Sequence, residues 1–416
     1  MYKKETLPNG VRIISEEIPH VRSVSIGLWV GVGSRDEAPE INGMAHFIEH
    51  MMFKGTEKRS AKQIAEALDD VGGQLNAFTS KEYTCYYAKV LDEHLDVAVD
   101  LLADMFFNSQ FQSEELDKEK NVIIEEIKMY EDAPDELVHD LFASTIWHDH
   151  ALGRPIIGNQ EVVNGITRDQ MVDFYRQFYV PGSLVIAVAG NIKHEALVER
   201  LAPMFSGFQG QARPRNYQSP VARACTLGKQ KDTEQVHLCL GTTGLPLDHE
   251  KTYTLHVLNS ILGGGISSRL FQEIREERGL AYSVYSYHSS YRDAGLFSVY
   301  TGLSQKNLDE VVALVSKELK AIKNLGVLDE EIRRAKAQLK GSMFLGLENV
   351  SNRMSRLGKS ELCLNRVTSS EEAAEKIDRV TKADIHQLAG ELFIKEKFTV
   401  AAIGPEKQVS VELELD

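Results

Sequence analysis

The chain has 416 residues, 43% of them hydrophobic and 26% charged, with a formal net charge of −14 at pH 7. That length allows two or three domains, and the composition is that of an ordinary soluble globular protein. A negative balance without a basic stripe argues against a nucleic-acid partner, and no apolar run approaches the ~20 residues of a membrane span.

Residues 1–10 carry no hydrophobic signal core and no Arg/Ser-rich transit character, and they lead into a strand-like Val11-Arg12-Ile13-Ile14. The expected location is cytoplasmic, although a chain with its leader removed would read the same. Next comes His46-Phe47-Ile48-Glu49-His50. On a helix, side chains at i and i+4 share a face, so both imidazoles and the carboxylate between them lie together. Two neutral imidazoles and one further ligand can hold Zn²⁺ and leave a fourth position for water, whose proton Glu49 could take. The order reverses the commoner H-E-x-x-H and is itself a zinc-protease signature. Asn42-Gly43 reads as the helix start and Gly55 as the stop, and the apolar neighbours Met44, Phe47, Ile48, Met51, Met52 and Phe53 predict burial. The rival reading is a hydrogen-bonded pair of core histidines. The burial cost of the carboxylate counts against it.

Gln74-Leu75-Asn76-Ala77-Phe78-Thr79 follows the breaker Gly72-Gly73, and residues 83–90 read as a second strand after a polar turn. An exposed edge there could bind extended peptide through backbone hydrogen bonds, whereas an ordinary hairpin would look no different. Residues 113–127 predict a helix capped by Ser113. Its Glu119 and Glu126 are seven residues apart and fall on one stripe, so one could ligate zinc while the other orients a histidine or the water. Glu125 lies about 100° around the helix and spacing alone does not separate it from Glu126. A solvated acidic face is the competing reading.

The chain then repeats itself. Thr167 to Thr381 and Gly190 to Gly404 share one offset of 214 residues. Each copy reads as a Thr-capped amphipathic helix, a turn and an apolar strand ending in Gly. Duplicated domains follow: 1–205, a linker at 206–224 rich in Gly, Pro and Gln, and 225–416. Neither half alternates βαβα, so the expected class is α+β, two homologous domains, each a mostly antiparallel or mixed sheet with helices packed on it. In the second half, residues 256–260 match the zinc helix best but keep only His256, and we assign no metal there. Gly263-Gly264-Gly265 lacks the Lys of a phosphate loop. On composition alone Arg275 is one helix Arg among several and Tyr282 a packed strand residue. Cys85, Cys225, Cys239 and Cys363 show no C-x-x-C spacing and are expected to be reduced and buried.

Together these segments resemble the inverted-zincin metallopeptidases of the pitrilysin, insulysin and mitochondrial processing peptidase group, over nearly the whole chain. The resemblance implies zinc, one ion per chain, on His46, His50 and Glu126, with Glu119 in support, and so favours Glu126 over Glu125. It implies that Glu49 is the catalytic base. It makes Asn76, Ala77, Phe78 and Thr79 an edge strand to which substrate peptide adds. The stretch from Ser268 to Tyr282 resembles the second-domain motif that supplies an Arg and a Tyr, here Arg275 and Tyr282, to the active site. Relatives carrying a whole four-domain chamber on one chain are about twice as long. The resemblance therefore implies a homodimer with sites completed in trans, or a heterodimer with a degenerate partner. The expected activity is zinc-dependent endopeptidase cleavage of unfolded peptides or leader segments inside that chamber. The alternative is a non-catalytic peptide-binding or scaffold subunit, which does not require an intact metal set.

Overall fold

The structure, a computed structural model, describes residues 2–212, 215, 217–406, 411 and 413–415. In chain order the first half forms β1 (Tyr2–Thr6), β2 (Arg12–Glu17), β3 (Ser23–Val30), α1 (Met44–Met51), α2 (Ala61–Asp69), β4 (Gln74–Thr79), β5 (Thr84–Leu91), α3 (Leu95–Asn108), α4 (Ser113–Glu131), α5 (Pro134–Ile146), α6 (Gln160–Gly165), α7 (Arg168–Phe178), β6 (Leu184–Gly190) and α8 (His194–Phe205). The second half forms β7 (Thr226–Gln230), β8 (Val236–Thr243), α9 (Thr252–Leu262), β9 (Ala281–Ser290), β10 (Gly295–Leu303), α10 (Leu308–Leu325), α11 (Asp329–Gly346), α12 (Val350–Leu364), α13 (Ser370–Arg379), α14 (Lys382–Leu392) and β11 (Thr399–Gly404). The expected linker has no helix or strand among its described residues; Arg213, Pro214 and Asn216 lie outside them.

Two mixed sheets with helices packed on them make the chain α+β. The six-stranded sheet runs β1-β2-β6-β3-β5-β4 and the five-stranded sheet β7-β11-β8-β10-β9. From β2 onward the two orders correspond strand for strand. Each has one parallel pair, β2 with β6 and β7 with β11, followed by antiparallel pairs. The repeated helices are capped alike: Thr167 accepts from the Gln170 N–H at 3.3 Å and Thr381 from the Asp384 N–H at 3.2 Å. The strands that follow, β6 and β11, are buried along their whole length, which explains their uninterrupted apolar sequence.

The repeat describes the chain, whereas packing groups it differently. One compact unit comprises Met1–Lys128, Arg154–Asn216 and Gly346–Thr368. The other comprises Met129–Gly153, Tyr217–Leu345 and Ser369–Asp416. Thus α12, from the second half, belongs to the first unit, and α5, from the first half, belongs to the second. In the first unit, α12 lies on one face of the sheet and buries Val350, Met354, Leu357 and Leu362 against Ile14, Trp29, Val185 and Ala187. The Trp29 indole N–H donates to Met354 Sδ at 3.2 Å. The sheet's other face carries the larger core, including Phe47, Ile48, Leu102, Phe106, Ile123 and Phe174. In the second unit α5 plays the matching part, with Val138, Phe142 and Ile146 against Cys239, Ala401 and Ile403.

Two expectations are corrected. Ser113 is the first residue of α4 rather than its cap. Cys225 is exposed and Cys363 half-buried, so only Cys85 and Cys239 are buried; all four are free thiols. Among the described residues no helix is long and apolar enough to cross a membrane.

Helix α12 can approach the sheet because position 358 has no side chain. A Cβ on Gly358 would stand 2.2 Å from Trp29 Nε1. Gly358→Ala is therefore expected to lower stability by about 1–3 kcal/mol, the usual cost of overpacking. Urea unfolding followed by Trp29 fluorescence in a Trp147→Phe background measures it, and an unchanged midpoint would show that α12 yields freely.

Candidate metal centre

Helix α1 is only eight residues long, and six of them are buried. A helix this short does not persist on its own, so outside groups must hold it. Gly43 at its N-cap takes φ +102, open to glycine at little cost, and leaves the first N–H groups facing Glu37. The buried Glu37 carboxylate accepts from the N–H of Gly43 at 2.8 Å, the N–H of Ala45 at 2.7 Å and the Asn42 amide at 2.8 Å. Burial pushes its carboxyl up to about 7, while those three donors and the nearby Arg154 guanidinium hold it down. A carboxylate at a helix N-terminus both satisfies orphan donors and complements the helix dipole. Glu37 was not read from the sequence: it lies seven residues before α1, and only the folded loop brings it back.

The two imidazoles of α1 have ring centroids 4.5 Å apart. Glu126 of α4 comes to both, with Oε2 3.7 Å from His46 Nε2 and 3.5 Å from His50 Nε2. His46, His50 and Glu126 each offer a donor atom, all within 4.8 Å of one another, and they form the one such group among the described residues. Two ligands each about 2.05 Å from a tetrahedral Zn²⁺ stand about 3.3 Å apart, so the donor spacing fits the ion with small adjustments. Burial, then the neighbouring His50, lowers His46 to about 3, which keeps its ring neutral as a ligand must be. Glu125 points elsewhere and takes the Lys128 ammonium at 2.7 Å.

Glu119, two turns before Glu126, bonds His50 Nδ1 at 2.9 Å through one oxygen and Lys54 Nζ at 2.6 Å through the other. Burial works to raise its carboxyl, but the His50 and Lys54 bonds prevail and hold it below the usual carboxylate range. A carboxylate on Nδ1 fixes the tautomer that leaves Nε2 free to ligate. Glu49, on the same helix, receives the Thr79 hydroxyl at 2.5 Å. Burial raises its carboxyl, with the Thr79 bond opposing. The donor set opens to solvent on one side: side-chain exposure rises from 10% at His46 to 21% at His50 and 45% at Glu126.

Asn76, Ala77, Phe78 and Thr79 lie in β4, the edge strand of the six-stranded sheet, whose pairing is with β5. Phe78 packs edge-on against Trp29 and Tyr83 behind it. Arg275 and Tyr282 lie in the second unit. Residues Phe271–Glu276 form a π-helical turn, a form that often marks functional sites. The Arg275 guanidinium stacks 4.7 Å from the Phe271 ring and 4.8 Å from that of Tyr282, which is 77% exposed. Helix α9, the counterpart of α1, carries His256 stacked on His288 with centroids 4.8 Å apart. Burial, then His288, lowers His256 to about 4.

Fold and donor set define a class: a duplicated α+β chain with one His-His-Glu group on its first half. Comparison with known proteins gives the family. Residues 12–160 match the insulinase family, peptidase family M16, and residues 165–339 match the peptidase M16 inactive domain. The chain belongs to peptidase family M16. It is 48% identical to an uncharacterized zinc protease of Bacillus subtilis, over 97% of this chain and 98% of that one. It is 45% identical to an uncharacterized zinc protease of Streptomyces coelicolor, over 98% and 91% of the two chains. Among solved structures, a protease from Helicobacter pylori shares the fold with a TM-score of 0.89 at 22% identity, covering 97% of this chain and 99% of that one. A chain of Complex III2 from Candida albicans does so with a TM-score of 0.83 at 22% identity, covering 97% and 96%.

The placement of the two neighbouring glutamates gives a direct test. After zinc loading and desalting, Glu126→Gln is expected to lose its stoichiometric zinc and Glu125→Gln to retain it, by elemental measurement. The opposite pattern would reassign the third ligand.

Proposed function

We propose that the protein is a zinc metalloendopeptidase that hydrolyses unfolded peptides or leader segments, one zinc per chain. The observation that carries this reading is the convergence of His46, His50 and Glu126 beside the carboxylate of Glu49. A bound zinc ion would supply Lewis acidity toward the scissile carbonyl and lower the pKa of a water. His46, His50 and Glu126 are the residues that would hold it, with Glu119 orienting His50. Glu49 takes the proton of the attacking water and returns it to the leaving amine. Substrate docks in extended form along β4, whose backbone recognises any sequence through hydrogen bonds. Phe271 and Tyr282 both lie against the Arg275 guanidinium, which would offer its N–H groups to a substrate carbonyl or the developing oxyanion.

We further propose a homodimer in which Arg275 and Tyr282 of the partner subunit complete each site, enclosing a chamber that excludes folded proteins. A cytoplasmic location suits the four free thiols. The alternative is a non-catalytic scaffold or peptide-binding subunit; a chain of Complex III2 shares this fold, so fold alone does not choose between the readings. The full donor set favours the enzyme, because scaffolding needs no metal ligands.

Glu49→Gln is expected to keep zinc and lose peptide cleavage by about 10²–10⁴-fold. Turnover at the wild-type rate would remove Glu49 from its role. Mixing Glu49→Gln protein with Tyr282→Phe protein is expected to restore part of the activity if sites form in trans. No recovery despite demonstrated subunit exchange would rule out the shared site.

A further inference from the structure

The Glu49 carboxylate is held by a residue of another element. Thr79 is the last residue of β4, and its hydroxyl donates to Glu49 Oε2 at 2.5 Å, within the range of a charge-assisted O–H···O⁻ bond. The donor is itself well fixed. Thr is β-branched and stiff at χ1. Its backbone pairs with Thr84 of β5, and the fully buried Thr84 side chain donates to the Val32 carbonyl at 2.9 Å. A line of contacts thus runs from the sheet interior through the strand end to one oxygen of the base. With Oε2 engaged, the proton-transfer role falls to Oε1. A carboxylate free to rotate about its last torsion would present either oxygen in many directions, since such sp³–sp² torsions are broad.

We propose that Thr79 is a positioning residue: its hydroxyl holds Glu49 in the orientation that takes and returns the proton, and so ties the base to the strand along which substrate docks. This rests on the metallopeptidase reading above. It assigns Thr79 a side-chain role beyond any backbone contact β4 makes with peptide. Because β4 is an edge strand, a peptide added to it is registered against the residue that aims the base. The same strand end then sets both the position of the scissile bond and the orientation of the group that acts on it.

Thr79→Val keeps the shape and β-branching but removes the donor, and Thr79→Ser keeps the donor. With a fluorogenic peptide, Thr79→Val is expected to lower kcat about 10- to 100-fold with KM within about threefold of wild type, and Thr79→Ser to recover most of that loss. Zinc content should stay stoichiometric in both. The affinity of a dye-labelled peptide for the metal-free protein, read by anisotropy, should not change. The pair is also read without turnover. In metal-free protein, Thr79→Val should lower the urea midpoint in the wild-type background and leave it unmoved in Glu49→Leu. Wild-type kcat in Thr79→Val, a raised KM at constant kcat, or equal loss in Val and Ser would each overturn the proposal. If the wild-type protein shows no zinc-dependent cleavage, the metallopeptidase reading falls. The unfolding cycle still decides whether Thr79 holds Glu49.

Discussion

A two-turn helix that carries two imidazoles and a carboxylate into a protein interior must be held from outside. Too short to stand alone, α1 would otherwise leave its first N–H groups without acceptors and its charges without partners. Glu37 closes the N-terminal end through three hydrogen bonds. Glu119 fixes His50, and Thr79 fixes Glu49. The apolar residues between them, Phe47, Ile48 and Met51, anchor the helix in the core. The geometry of the donor set is thus a consequence of packing on one side and of three separate polar tethers on the other. Such prior ordering is what lets a site act without reorganising at the moment of reaction.

Duplication supplies the scaffold twice but the chemistry once. The two sheets share an order from their second strand onward, and each unit has a helix following the strand that precedes α1 or α9. In α9 the position comparable to the candidate metal turn of α1 holds a lone His256, stacked on His288 of β9 and kept neutral by burial. Among the described residues no second group of donors able to hold a metal forms, so the second half keeps the architecture without a comparable donor set. Function sits in particular side chains grafted on a fold, and two copies of one fold can therefore diverge completely in chemistry.

How much could be read without coordinates depended on the range of the signal. His46, Glu49 and His50 lie within two turns, so helical spacing alone placed them on one face. Glu119 and Glu126 share a stripe for the same reason. Spacing alone left Glu125 and Glu126 open, because helical geometry does not say which way α4 turns toward α1; it was the family resemblance that favoured Glu126. The Thr-capped helices and the strands β6 and β11 were legible because a cap, a turn and an apolar run are local features. Glu37 was not, since its role depends on a loop returning to Gly43. The exchange of α5 and α12 was equally hidden. Their apolar faces are visible as amphipathic patterns, but an apolar stripe does not name the sheet that will cover it.

That exchange bears on the site as well as on stability. Helix α12 closes the face of the first sheet behind β3 and β6, where Trp29 meets Met354. Trp29 in turn backs Phe78 of β4, with ring centroids 5.6 Å apart. Phe78 immediately precedes Thr79, whose hydroxyl reaches Glu49. A segment encoded some 300 residues after the His46–His50 motif thereby backs the strand end that meets Glu49. In close-packed interiors even a methylene is felt by its neighbours, so a change at Gly358 or Met354 should register at Glu49 through this chain of rings. The same physical continuity explains how residues that touch neither metal nor substrate can be constrained as tightly as those that do.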